Sequence, residues 1–184
     1  GKLKKSIEIN ENEEVIQTPA SKDKDARWTI KSKHLYLGYK LHARTDEEGF
    51  IEQIHVTPAN ASDVNNLETV LDKVEQGVKV YADKGYDSQS NREFLEKNQL
   101  VDGIMRKAHR KKPLMREDIE RNKELAKIRY RVEQSFAILH RIFRCKRASY
   151  FGLEKVKGQM GLKVICLNLL KAANKLRLVA PIAA

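Results

Sequence analysis

At 184 residues the chain can bury one sizeable core and is too short for two full domains. It carries 36 Lys and Arg against 25 Asp and Glu, a net charge of +11. No apolar stretch approaches the ~20 residues of a membrane span, GKLKKSIEINENEE lacks the apolar segment of a signal peptide, and Cys145 and Cys166 form no CxxC; a soluble, reducing, cytoplasmic setting is expected.

The charge is unevenly placed. Residues 1–92 hold 14 basic and 16 acidic side chains (net −2), whereas 93–184 hold 22 and 9 (net +13), which together give the +11. A phosphate backbone is a natural partner for such a half. A solubilising surface or an acidic protein partner would also account for it.

Residues 1–26 are charged and poor in large apolar side chains, and read as a mobile or inserted segment in which Leu3 to Ile9 could form a short edge strand. Ordered structure is expected from near Trp28. Leu35, Leu37, Tyr39, Leu41 and Ala43 alternate with polar neighbours, the period of a strand with one apolar face. The turn Asp46-Glu47-Glu48-Gly49 returns the chain as a second strand from Phe50 to Thr57, which Pro58 ends. Ser62 or Asp63 caps a helix through Val64, Leu67, Val70, Leu71 and Val74, stopped by Gly77. Val78 to Ala82 is a short continuous apolar run of the kind buried in a parallel sheet. Asp87 or Ser88 caps a further helix to about Lys97, and Leu100 to Met105 is a strand candidate followed by the basic loop RKAHRKKP. Helices are expected over about 116–143 and, after a break at Gly152, over 153–178, with Cys166 as a small core residue. The sum is a mixed α/β sheet layered with helices.

Two acids stand out. Asp83 ends the apolar strand, and open α/β sheets place ligands at the carboxyl ends of strands; an Asp before Gly-Tyr is also an ordinary turn former. Glu133 lies on the long helix beside a stripe formed by Ile128, Val132, Phe136, Leu139 and Phe143. Arg129 and His140 share its face, although Arg129 and Glu133 could equally be a surface i,i+4 pair. A strand-end Asp and a helix-borne Glu among cations suit divalent metal held against a phosphodiester. Histidine spacings give no HxH or HExxH, and GxGxxG, GxxxxGK and GxSxG are absent.

The segments KDKDARWTIKS, LGYKLH followed by TD, TPANASD, YADKGYDS, RYRVEQSF and LNLLKAANKL, spread from about Asp23 to Lys175, together resemble the DDE transposases of bacterial insertion sequences, specifically the insertion-sequence-five group. The resemblance implies an RNase H-like α/β fold in which three acids bind two Mg²⁺ (or Mn²⁺) ions. The second acid, at the end of the fourth sheet strand, matches Asp83, and the third, on a helix, matches Glu133. Arg129 and His140 match positions that contact DNA, His140 standing where Lys is more usual. The first acid lies on the central strand upstream of the DARW segment, so that strand and its Asp are expected to be missing from these residues.

On this reading residues 27–178 are a partial catalytic core, 1–26 a mobile or inserted segment and 179–184 a tail. The expected function is cutting and joining DNA by metal-dependent phosphoryl transfer at transposon ends and target, by a homo-oligomer on double-stranded DNA in the bacterial nucleoid. Asp83 and Glu133 would be catalytic and metal-binding, while Lys107, Arg110, Lys111 and Lys112 join Arg129 and His140 in holding phosphates. An inactive remnant that only binds DNA is the alternative; a structure-specific nuclease is a third.

Overall fold

The computed structural model describes residues 22–31, 33–109 and 113–179. Five strands and four helices appear among them: β1 Arg27–Lys31, β2 His34–Thr45, β3 Ile51–Pro58, α1 Leu67–Val70, β4 Lys79–Ala82, α2 Gln89–Lys97, β5 Val101–Ile104, α3 Arg116–Arg141 and α4 Leu153–Val179. The fold is a mixed α/β arrangement, as the alternation of patterns predicts. Instead of one mixed sheet, the described strands form a three-stranded sheet, β1-β2-β3, and a separate parallel pair, β4-β5. The chain divides into two compact units: residues 1–41, 56–61 and 139–184, and residues 42–55 and 62–138.

In the first unit, β1 pairs antiparallel with β2, Arg27 opposite Gly38 and Lys31 opposite His34. Order begins upstream of Trp28: Asp23 and Ala26 are buried. Asp23 accepts hydrogen bonds from the backbone N–H groups of Asp25 and Ala26, from the Tyr39 hydroxyl at 2.9 Å and from the Gly152 N–H at 3.2 Å. Asp25 accepts from the Leu153 N–H at 2.8 Å, satisfying a donor that the start of α4 would otherwise leave unpaired. The polar KDKD run is thus a clasp on α4, and the proposed Leu3–Ile9 strand lies outside the described residues. The buried side of α4 carries Val156, Met160, Val164 and Leu167, at helical spacing. Cys166 is exposed, against the expectation that it sits in the core. Its neighbour Leu167 takes the inward position, in line with Val156, Met160 and Val164, and Cys166, a step of about 100° round the helix, falls on the open side.

In the second unit the core is one cluster, Leu67, Leu71, Val80, Ala82, Leu95, Leu100 and Ile104, with Val74, Tyr86 and Phe94 packed against it. The expected helix from Ser62 is shortened to a 3₁₀ turn, Asp63–Asn66, and the single turn of α1. The apolar spacing is helical, but Asn65 and Asn66 are weak helix formers and the Ser62 side chain makes no cap bond. α2 starts as expected, with the Ser88 hydroxyl accepting from the Asn91 N–H at 3.1 Å. Gly103 belongs to the close approach of β5 to β4, because a Cβ there would lie 2.5 Å from the Val80 carbonyl oxygen. On α3, Ile128 is exposed rather than part of the buried stripe, and Leu125 and Ser135 are buried instead. The Ser135 hydroxyl donates to the Gly49 carbonyl at 2.7 Å, so a polar residue occupies the inward position.

Candidate active site

β4 builds the site by alternation and by stopping. Val80 and Ala82 point into the core, and the strand ends at Ala82, which leaves Asp83 at the carboxyl end of a parallel pair. Asp83 then turns the chain: its Oδ1 accepts from the Lys84 N–H at 2.7 Å, its carbonyl accepts from the Tyr86 N–H at 2.9 Å, and Lys84–Tyr86 form a 3₁₀ turn. The carboxylate is therefore held by its own turn and faces outward.

From α3, Arg129 reaches this turn. One terminal nitrogen lies 3.6 Å from Asp83 Oδ1 and the other 3.5 Å from Glu133 Oε1. Both distances are those of ion pairs rather than hydrogen bonds. Nη1 also donates to the Met105 thioether at 3.3 Å. The Arg129 side chain is 16% exposed, whereas Asp83 and Glu133 are 49% and 61% exposed. A mostly covered cation thus stands between two solvent-facing carboxylates from different elements. It offsets the repulsion that they would otherwise feel.

Behind the turn, the Tyr86 hydroxyl lies 2.9 Å from Nδ1 of the buried His42, whose ring is 6.2 Å from that of His55. Burial, followed by the negative charges of Asp63 and Asp83, pushes the Tyr86 phenol up to about 12. It therefore stays protonated and can donate to His42. Asp63 packs its carboxylate against Gly85 within the same turn. Asp63, His42 and Tyr86 were not singled out as site residues by the sequence. The visible signals were the TPANASD and ADKGYDS segments and the inward phase of His42, opposite to that assumed from strand alternation.

Asp83, Arg129 and Glu133, then, come together within the second unit. Lys107 is tied nearby by its backbone N–H, which donates to Asp87 Oδ2 at 2.6 Å. Arg110, Lys111 and Lys112 lie outside the described residues. His140 belongs to the first unit. Burial, then the positive charges of Lys146 and Lys31, lower its pKa below the usual imidazole value. At neutral pH it is an uncharged donor rather than a cation. Among the described residues, no group of three or more His, Cys, Asp or Glu side chains could hold a metal ion, and no helix is long and apolar enough to cross a membrane.

Comparison with known proteins identifies the relatives. The family model described as "Transposase DDE domain" matches residues 6–169. The chain is 56% identical over 177 residues to the "Transposase for insertion sequence element IS1106" of Neisseria meningitidis serogroup B, an alignment that covers 95% of this chain and 61% of that protein. It thus spans about three-fifths of the length of this curated relative. No solved structure matches it. The family model matched across most of the chain and the 56% identity to a curated relative make the chain a member of the DDE transposases of insertion sequences.

Proposed function

We propose that these residues are the larger part of an RNase H-like transposase core that cuts and joins DNA by metal-dependent phosphoryl transfer, with Asp83 and Glu133 as catalytic metal ligands. The observation that carries the reading is the shared guanidinium: two acids remote in sequence converge on Arg129. The core would run over 27–178, with 1–26 as an appended segment and 179–184 as a tail. The third acid and the central strand would come from the part of the longer relative that these residues do not cover. The partners would be double-stranded transposon ends and target DNA, engaged by a homo-oligomer in the bacterial cytoplasm, at the nucleoid.

The donor set fits the metal. Two exposed carboxylates are hard oxygen ligands, and Mg²⁺ is commonly held by one or two carboxylates together with substrate phosphate. When bound, Mg²⁺ or Mn²⁺, two ions in the intact enzyme, supplies Lewis-acid stabilisation of charge building on the phosphate. The chain's own groups do the rest. The Lys84–Tyr86 turn aims the Asp83 carboxylate, and Tyr86 on His42 keeps that turn from shifting. Arg129 balances the two acids when the site is empty of metal and can grip a phosphate by two parallel N–H bonds when DNA enters. Lys107, Arg110, Lys111 and Lys112 position the backbone without reading sequence, and His140 donates a neutral N–H.

The test is Mn²⁺ binding followed by electron paramagnetic resonance. Asp83→Asn and Glu133→Gln should each weaken it at least tenfold, and wild-type affinity in both variants would overturn the assignment. The 184-residue chain alone should show little Mg²⁺-dependent cleavage of DNA bearing its element's ends, and robust cleavage abolished by Glu133→Gln would mean that a further acid in this chain completes the site. A second reading, a DNA-binding remnant without catalysis, draws on charge alone, the net +13 carried by residues 93–184. It predicts DNA binding indifferent to both substitutions and no cleavage even when the rest of the enzyme is supplied.

A further inference from the structure

The connection between α3 and α4 combines two features that solubility alone does not require. Arg141, Arg144, Lys146 and Arg147 follow one another with no carboxylate between Glu133 and Glu154. Tyr150 and Phe151 come next and are 55% and 66% exposed. None of the four cations is paired with a carboxylate among the described residues, and burial, followed by the positive charges of Lys146 and Lys31, lowers the pKa of His140 at the start of the loop. Like charges held together destabilise a fold unless a partner of opposite charge arrives.

The loop is also braced. The Cys145 N–H donates to the Leu139 carbonyl, and the Lys163 ammonium to that of Arg144. The Ser149 N–H donates to Oε1 of the buried Gln159, whose amide donates back to the Ser149 hydroxyl at 2.8 Å. Gly152 is clasped by Asp23. Anchors on both sides of Tyr150 and Phe151 present the two rings in a set place, which lowers the ordering cost of binding. Asp23 and Asp25, which reach the end of the loop, are already committed to backbone donors, and Glu154 is paired with Lys157.

We propose that this connector is a binding site for an unpaired DNA strand, with Tyr150 and Phe151 as stacking platforms for bases and Arg144, Lys146 and Arg147 holding its phosphates. An apolar protein partner would have to desolvate the cations without compensation. A duplex satisfies the cations but keeps its base faces stacked inside. Only an unpaired strand offers phosphates and free π-faces together. The inference rests on the reading that the chain works on DNA, and its residues all belong to the first unit.

The experiment is fluorescence anisotropy of the 184-residue chain with a labelled oligothymidine and with a duplex of equal length, without divalent metal. Tyr150→Ala and Phe151→Ala should each weaken oligothymidine binding on the order of 5- to 150-fold, the range for removal of one base–aromatic stack, with duplex affinity and the unfolding midpoint unchanged. Tyr150→Phe should restore the affinity. Replacing Arg144, Lys146 and Arg147 by Ala should weaken both probes and flatten the salt dependence of binding. Unchanged oligothymidine affinity in Tyr150→Ala/Phe151→Ala, or an equal loss on duplex, overturns the proposal. The same titration in Asp83→Asn/Glu133→Gln separates the two ideas: unchanged Mn²⁺ affinity in that variant with oligothymidine binding that still depends on Tyr150 and Phe151 refutes the catalytic reading alone, whereas lost Mn²⁺ binding with stacking-insensitive DNA binding refutes this one alone.

Discussion

Replacing Arg92 by Met should destabilise the second unit more than any exposed charge removal. Arg92 joins the loop after the Asp83 turn to β5: one nitrogen lies 2.7 Å from Asp87 Oδ1 and the other pairs with Asp102. The Arg92 and Asp87 side chains are only 14% and 11% exposed, so the charges are largely out of water. Asp102 keeps Arg121 at 3.6 Å and the Ile104 N–H, and the loss therefore falls on Asp87, left with the Lys107 N–H and the more distant charge of Arg106. Removing one partner of a buried pair costs about 3–5 kcal/mol, and the retained partners place this case near the lower end, about 3 kcal/mol. For a chain of this size that corresponds to a fall in Tm of roughly 6–12 °C, at about 2–4 °C per kcal/mol. Urea unfolding followed by circular dichroism measures it, with Arg116→Met, which breaks a fully exposed i,i+4 pair with Glu120, as the control at under about 0.5 kcal/mol. A pH series adds a second reading. Burial raises the Asp87 carboxyl, but the Lys107 N–H and Arg92 outweigh it and the net pKa is lowered from 3.8. That stabilisation is present above the unfolded value and lost as pH falls through the folded one, so wild type and Arg92→Met should converge in acid. A loss below about 1 kcal/mol, or one equal to that of Arg116→Met, would refute the reasoning.

Three further outcomes are expected. Gly103→Ala should force β5 away from the Val80 carbonyl and cost on the order of 2–3 kcal/mol of overpacking strain, read as a lower urea midpoint; an unchanged midpoint would show that the strand pair gives way freely. Burial raises the Asp23 carboxyl, but the Tyr39 hydroxyl and three backbone donors more than reverse this, lowering its pKa from 3.8; Asp23→Asn should flatten the loss of stability that wild type suffers as pH falls below about 4, and an identical acid limb in both would count against the clasp. Changing Lys107, Arg110, Lys111 and Lys112 to Ala should weaken duplex binding to all sequences alike and flatten the salt slope by roughly 0.9 for each phosphate no longer neutralised, whereas Arg129→Ala should cost less affinity; an unaltered slope would make the basic stretch only a solvated loop.

The elements with strong local signals were legible. Alternation marks β2, although the buried His42 reverses the expected face; the Asp46–Gly49 turn and Pro58 mark β3, the Ser88 cap marks α2, and helical spacing marks α3 and α4 to within two residues of the expected ends. The convergence of Asp83, Arg129 and Glu133 was legible only as an i,i+4 pair plus a strand end, joined by family resemblance. Other features depend on tertiary partners that no local pattern announces. Asp23 looks like part of a charged tail until Tyr39 and Gly152 surround it. Ser135 is polar yet fully buried because a carbonyl at Gly49 meets it. α1 breaks because its apolar spacing is satisfied by a single turn over the core cluster, and two asparagines give nothing to extend it.

The clasp at Asp23 and Asp25 also bears on the order of assembly. Its bonds to Gly152 and Leu153 join positions 129 and 128 residues apart. Closing so long a loop is entropically slow, and on the ribosome it cannot begin until α4 has started to emerge. Residues 62–138 are complete by then and can collapse around their own core first. The first unit closes last, which makes the α4 junction the step at which a nascent chain is open to proteolysis.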